Sequence, residues 1–191
     1  MDANSTTLQN ELSLGQLDMI IDNHTLPDDL FDQTQLATEH LLLAVPAHFP
    51  ENEELTSLRL TYEDILSGKH EAVEGNIPLQ KLQNVPFILM NKDNGTRKAT
   101  EKIFQDASFS PNVLFELDRL TTLYSYIELG AAASIVSDTL VRNVHITEPG
   151  HIYFYPLNSK YARRGIYASY KKNKYHSPAM QAFVESLAEL K

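Results

Sequence analysis

A chain of 191 residues, 42% hydrophobic and 21% charged, is long enough for one large domain or two small lobes with real cores. Zero cysteines exclude disulfides, cysteine-based zinc sites and thiol catalysis, and they suit a reducing compartment. A net charge of −9 argues against a nucleic-acid surface over the whole chain. No apolar run is long enough to span a bilayer and no basic-then-apolar leader is seen, so a cytoplasmic protein without membrane association is expected, or one whose leader has been removed.

In chain order, residues 5–14 read as a short helix capped by Asn4 or Ser5, with Leu8 and Leu12 one turn apart and Gly15 as its stop. Leu17 to Ile21 reads as a strand ending in the polar loop Asp22, Asn23 and His24. His40 to Val45 is a second strand, closed by Pro46. Pro50 to Glu54 reads as a solvated acidic loop. Residues 61–83 give only a short helix near Tyr62 to Leu66 and another after Pro78.

The clearest stretch runs from Pro86 to Phe104. Pro86 to Met90 suits a buried strand, and Asn91 to Gly95 is a turn. Ala99, Ile103, Phe104 and Ala107 then recur at helical spacing, with Lys98, Glu101, Lys102 and Gln105 opposite. Backbone N–H groups at such a helix start suit an anion, and Asn94 and Thr96 add polar side chains; simple capping by Asn94 or Asp93 is the competing reading. Val113 to Leu117 is the next strand. Asp118 is the expected cap of a helix carrying Leu120, Leu123, Tyr124 and Ile127 and ended by Gly130, and Ala132 to Val136 is a further strand. This alternation predicts an α/β unit with a largely parallel sheet, whose ligands lie beyond the carboxyl ends of the strands. Ile152 to Pro156 and Gly165 to Tyr170 are the last strands. Ser177 and Pro178 open a final helix with Met180, Phe183, Val184 and Leu187 on one face.

Catalytic motifs are missing from this inventory. The seven histidines, at 24, 40, 48, 70, 145, 151 and 176, show no metal-ligand spacing, so scattered surface histidines and no metal are expected. There is no nucleophile elbow and no glycine-rich phosphate loop. Lys160, Arg163, Arg164, Lys171, Lys172 and Lys174 interleave with Tyr161, Tyr167, Tyr170 and Tyr175; a strand edge or protein interface is the default reading, ahead of stacking on single-stranded nucleic acid.

Six features in order resemble the effector-binding domain of LysR-type transcriptional regulators. They are Leu12, Gly15, Leu17 and Asp18 before Met19 to Ile21; Leu42 to Pro46 followed by His48 and Pro50; Pro86 to Ile88 with Arg97, Glu116, Leu129 and Gly130; Ile135 to Ser137, where the family usually has a proline; Arg164 to Ala168; and Ser177 to Ala179 before the last helix. The resemblance implies an α/β, two-lobe periplasmic-binding-protein-like (type 2) fold with two crossing strands. The first lobe, 1–46 plus 168–191, would be incomplete, and the second would be 47–167. It also implies a small-molecule effector held between the lobes, no cofactor and no enzymatic activity. DNA would be contacted only through a helix-turn-helix domain not in this chain. Carried over by position, the effector-binding residues would be Ser5, Thr6, Asp22, Asn23, Asn94, Gly95 and Thr96. Asp22 disfavours an anionic effector and opens the way to a cationic or zwitterionic one. A shortened first lobe would leave Ile20, Ile21, Phe183 and Val184 exposed, so a homodimer or higher oligomer is expected. An extracytoplasmic solute-binding protein sharing the fold is the alternative, and an enzyme of that fold the weakest reading.

Overall fold

The computed structural model describes residues 5–73, 75, 77–144 and 150–189. The proposed cap Asn4 and the histidine at 145 lie outside them. The elements are α1 (Ser5–Leu14), β1 (Met19–Asp22), β2 (Phe31–Pro46), a 3-10 helix (Pro50–Leu58), α2 (Tyr62–Leu66), 3-10 turns at Lys69–Ala72 and Leu79–Leu82, and β3 (Pro86–Met90). There follow α3 (Gly95–Asp106), β4 (Asn112–Leu117), α4 (Leu120–Glu128), β5 (Ser134–Ser137), α5 (Asp138–Asn143), β6 (Ile152–Pro156), a 3-10 turn at Lys160–Ala162, β7 (Arg163–Lys171) and α6 (Pro178–Glu189). The chain divides into two units, Met1–Glu39 with Arg164–Lys191, and His40–Arg163. It passes from one to the other inside β2 and again at the start of β7.

In the first unit β7 lies between β1 and β2, and pairs with β1 antiparallel from Met19↔Tyr170 to Asp22↔Tyr167. Gly15 ends α1 at φ +77°, a left-handed conformation that glycine adopts without steric cost, and its N–H returns to Leu12 O at 3.0 Å. Leu12, Ile20 and Phe31 form one small core, with Leu8 and Leu17 against it. Leu36, Ala168 and Val184 form another, flanked by Met19 and Leu187. Ile20 and Val184 are therefore covered within the unit, contrary to the exposure expected of them. Ile21 and Phe183 do stay open, at 44% and 48% exposure.

The second unit is built around the end of β2. Leu41–Ala44 pairs with β5 on one side and Leu42–Pro46 with β6 on the other, both antiparallel. β3 joins β5 through the parallel bridge Phe87↔Ala133 and pairs parallel with β4. The strands thus run β4-β3-β5-β2-β6. The parallel pairing expected of residues 86–137 holds for β4, β3 and β5, while the sheet as a whole is mixed, because β2 enters between β5 and β6 against both. Side chains alternate across the sheet, as the pleat requires. Leu41, Leu43, Val45, Phe87, Leu89, Ile135 and Tyr155 fill one core, and Leu42, Ala44, Ile88, Met90, Val136 and Phe154 fill the other. Phe87, Phe104 and Phe109 meet edge-to-face in the first core at 5.2–5.7 Å between ring centroids, a favourable arrangement of aromatic quadrupoles.

Several local expectations are revised. β2 starts at Phe31, because its front half is polar (Asp32 to Gln35) and gives no hydrophobic signal. Arg119, not Asp118, occupies the cap position of α4, and the Asp118 carboxylate instead accepts a hydrogen bond from Asn91 Nδ2. Helix α5, only six residues long, had no periodicity to reveal it. The acidic loop is a 3-10 helix with Asn52 in its first turn, 2% exposed. Asn52 Nδ2 donates to the carbonyls of Pro46, Ala47 and Phe49 at 2.8–3.2 Å, and its Oδ1 accepts from Tyr155 Oη at 2.7 Å. Of the six basic residues in the tyrosine-rich stretch, Arg164, Lys172 and Lys174 are paired within the first unit, with Glu39, Asp32 and Asp18. No helix among the described residues is long and apolar enough to cross a membrane.

The Asn52 side chain satisfies a buried hydroxyl and closes the turn after β2, so its removal strands several polar groups at once. Asn52→Ala is expected to cost about 2–4 kcal/mol in urea unfolding, whereas a loss under about 0.5 kcal/mol would show that water replaces the amide.

Candidate functional site

In the first unit, the predicted residues gather around the end of β1. Asp22 is the last residue of that strand, and its carboxylate is almost fully engaged. Oδ1 accepts from Ser5 Oγ at 3.0 Å and from the Asn23 N–H at 2.7 Å, with His24 Nδ1 at 3.4 Å; Oδ2 accepts from Gln9 Nε2 at 3.4 Å. The Ser5 hydroxyl is therefore turned onto Asp22. Thr6, next in α1, is exposed. The Asn23 amide sits between His24 Nδ1, at 3.0 Å, and the Arg164 guanidinium, at 3.0–3.1 Å. Arg164 Nε in turn donates to Glu39 Oε2 at 2.5 Å. Ser5, Asp22 and Asn23 thus form one polar surface with groups of both charge signs, to which the sequence reading had not joined Arg164 and Glu39.

In the second unit, Asn94 caps α3 and Gly95 and Thr96 open it, three residues (Asn91 to Asp93) after the end of β3. Asn94 is extended (φ −79°, ψ 137°), and its Oδ1 accepts the Thr96 N–H at 2.8 Å. The capping reading is thus realised, and one of the helix-start donors is already satisfied. The next residue, Arg97, is buried and locks this turn in place. Its Nη1 donates to Met90 O and Glu116 Oε1, both at 2.7 Å, and its Nε donates to Glu101 Oε1 at 2.8 Å. Burial works against the Arg97 charge, but the two carboxylates outweigh it and raise its pKa above the ordinary value.

A third group escaped the sequence reading. His40 and His70, expected as scattered histidines, converge on Asp138, 98 and 68 residues away in the chain. Asp138 opens α5 straight after β5, with Ser137 Oγ accepting the Leu140 N–H at 3.1 Å as the helix cap. Burial pushes the Asp138 carboxyl up, but hydrogen bonds from His40 and His70 prevail and hold it far below the usual carboxylate range. Glu71 lies beside them, in ion-pair contact with Arg142 at 3.1 Å. The signal available in sequence was Ser137-Asp138, a cap followed by an acidic first turn.

The two-unit α/β architecture is that of the periplasmic-binding-protein-like effector domains. The regulatory domain of CcmR from Synechocystis PCC6803, solved in complex with 2-PG, superposes with a TM-score of 0.75 at 17% identity, covering 98% of this chain and 80% of that one. The effector-binding domain of QuiR, solved with shikimate, does so at 0.68 and 16%, covering 97% and 77%. The chain belongs to the LysR substrate binding domain family, whose model matches residues 1–191. It is 26% identical over 188 residues to the HTH-type transcriptional regulator YcgK of Bacillus subtilis (strain 168), covering 97% of this chain and 55% of that protein. The chain spans about half or less of the length of the curated relatives it matches.

Asp22 gives this surface a pH signature. Burial raises its carboxyl pKa, but hydrogen bonds led by His24 and the Asn23 N–H win and lower it from the ordinary 3.8. A depressed folded value stabilises the fold above the unfolded pKa, and that contribution disappears as pH falls through the folded value. Asp22→Asn is therefore expected to be less stable than the parent near neutrality, with the gap closing below about pH 4. A gap independent of pH, in urea midpoints measured from pH 7 to pH 3, would show that the carboxylate charge contributes nothing.

Proposed function

We propose that this chain is the effector-sensing part of a LysR-type transcriptional regulator, which binds a small metabolite and so alters DNA binding by an attached helix-turn-helix domain. The observation that carries this reading is the family match over the whole chain, joined to a fold whose solved neighbours include one domain in complex with shikimate and one with 2-PG. It acts by binding, not by turnover, in the cytoplasm where the DNA is. The DNA-binding relatives favour this reading over a transport-related solute-binding protein.

Effector contacts are assigned to Ser5, Thr6, Asp22 and Asn23 on the first unit and to Asn94, Gly95 and Thr96 on the second. Asp22, and Arg164 beside Asn23, provide groups of both signs, which suits a polar or zwitterionic metabolite better than a simple anion. Ligand binding to the native state raises stability by mass action. A thermal-shift panel of organic acids, sugar acids and amino acids is expected to contain a stabilising compound, recovered unchanged, and Thr96→Ala should abolish its shift. A Thr96→Ala protein responding like the parent would remove the α3 turn from the site.

The functional form is a homodimer or higher oligomer. Strand β4 pairs with β3 and presents Val113, Leu114 and Phe115 to solvent with Tyr126 of α4 nearby, Leu114 at 52% exposure. A contiguous apolar strip of this kind is the natural cover for a second copy. Light scattering after size exclusion should give a dimer for the parent and a monomer for Leu114→Glu. A monomeric parent at micromolar concentration would end the dimer assignment.

A further inference from the structure

The cluster of His40, His70, Glu71 and Asp138 lies wholly within the second unit and involves none of the proposed effector contacts. His40, on β2, and His70, in the turn Lys69–Ala72, aim ring nitrogens at one carboxylate oxygen. His70 Nε2 is 2.9 Å from Asp138 Oδ2, and His40 Nδ1 is 3.4 Å from the same atom. Asp138 Oδ1 is held by two backbone donors, His40 N–H at 2.9 Å and Thr139 N–H at 2.8 Å. The carboxylate is thereby fixed with Oδ2 facing the imidazoles, the outer support that metal-ligating carboxylates ordinarily have. Glu71 brings a second carboxylate, and one donor atom from each of the four side chains lies within 4.8 Å of every other.

We infer that these four side chains form a binding site for a divalent transition-metal ion of the zinc class. Donor atoms about 2.0–2.1 Å from a tetrahedral ion stand about 3.3–3.4 Å apart, close to the spacings already present, so ligation needs only small side-chain adjustments. Two imidazoles with two carboxylates favour zinc, cobalt or nickel over magnesium or calcium, which prefer all-oxygen shells. The two carboxylate charges oppose the ion's charge, while Arg142, 3.1 Å from Glu71 and 4.0 Å from Asp138, keeps them partly balanced without it. His70 Nδ1 is buried without a hydrogen-bond partner, so a ring bound to the ion through Nε2 carries its proton at Nδ1 without an acceptor, a cost that ligation has to exceed. An open cavity of about 480 Å³ is lined by His40, His70 and Glu71 and provides the ion's route in.

The competing account is a hydrogen-bonded staple that ties α5 and the His70 turn to β2 without any ion. The test uses the purified chain, stripped with chelator and titrated with Zn²⁺ by calorimetry and with Co²⁺ by visible absorption. One equivalent of Zn²⁺ should bind, Co²⁺ should give the intense bands of a four-coordinate ion, and Mg²⁺ should not compete. Glu71→Gln, at a side chain 53% exposed and so harmless to folding, should weaken Zn²⁺ binding by at least about tenfold. His40→Ala should weaken it further. Failure of the parent to bind Zn²⁺ stoichiometrically, or affinity unchanged in Glu71→Gln, would overturn the site and leave the staple.

Discussion

The five residues from Leu41 to Val45 are the constraint on which the second unit depends. They are almost completely buried, with odd and even positions facing different cores. A strand with water on neither face must find hydrogen-bond partners on both edges, because an unpaired buried amide costs about as much as any side chain it could bury. β5 and β6 provide them. That demand explains the mixed sheet: the crossing strand is inserted between two strands running the other way, and parallel pairing is left to β4, β3 and β5.

Those three parallel strands end on the same edge of the sheet, and each ends in polar residues that fix the next turn. After β3 come Asn91 and the cap Asn94, after β4 comes Asp118, and β5 ends on Ser137 with Asp138 next. Asn91 and Asp118 bond to each other across two of these turns. Both the proposed effector turn and the imidazole–carboxylate cluster arise from this edge, the ordinary place for ligands in parallel α/β sheets. Buried Arg97 makes the proposed effector turn rigid, because two of its hydrogen bonds tie the start of α3 to the ends of β3 and β4, while the third, to Glu101, stays within the helix.

How much of this was legible in the sequence depended on whether the physics was local. Pro86 to Phe104 reads directly, because a five-residue apolar run, a turn rich in Asn and Gly and a 3.6-residue repeat each signal within their own window. The front half of β2 does not, since Asp32 to Gln35 are polar and are held by pairing with β7, distant in sequence. Pro50 to Glu54 looks like solvated charge, and only the carbonyls around Asn52 reveal why the segment folds inward. The candidate site split in the same way. The α3 turn was visible, whereas the cluster on Asp138 depends on residues 68 and 98 positions away, beyond any spacing rule. The family resemblance supplied the two-lobe fold, which periodicity alone would have rendered as a single parallel sheet.

The contacts proposed for an effector at the end of β1 imply what a ligand bound there would have to displace. Ser5 donates to Asp22 in this structure, so its hydroxyl is not available to a ligand acceptor without losing that bond. A ligand carrying its own donor faces a smaller exchange. It can bond to Asp22 in place of Ser5 and leave the charge compensated, whereas a carboxylate placed there would both repel Asp22 and compete with it for Ser5. Arg164, shared between Glu39 and Asn23, is the nearby group suited to a ligand's negative end. The physical preference of this surface is therefore set by Asp22, at a strand terminus whose place is fixed by the pairing of β1 with β7.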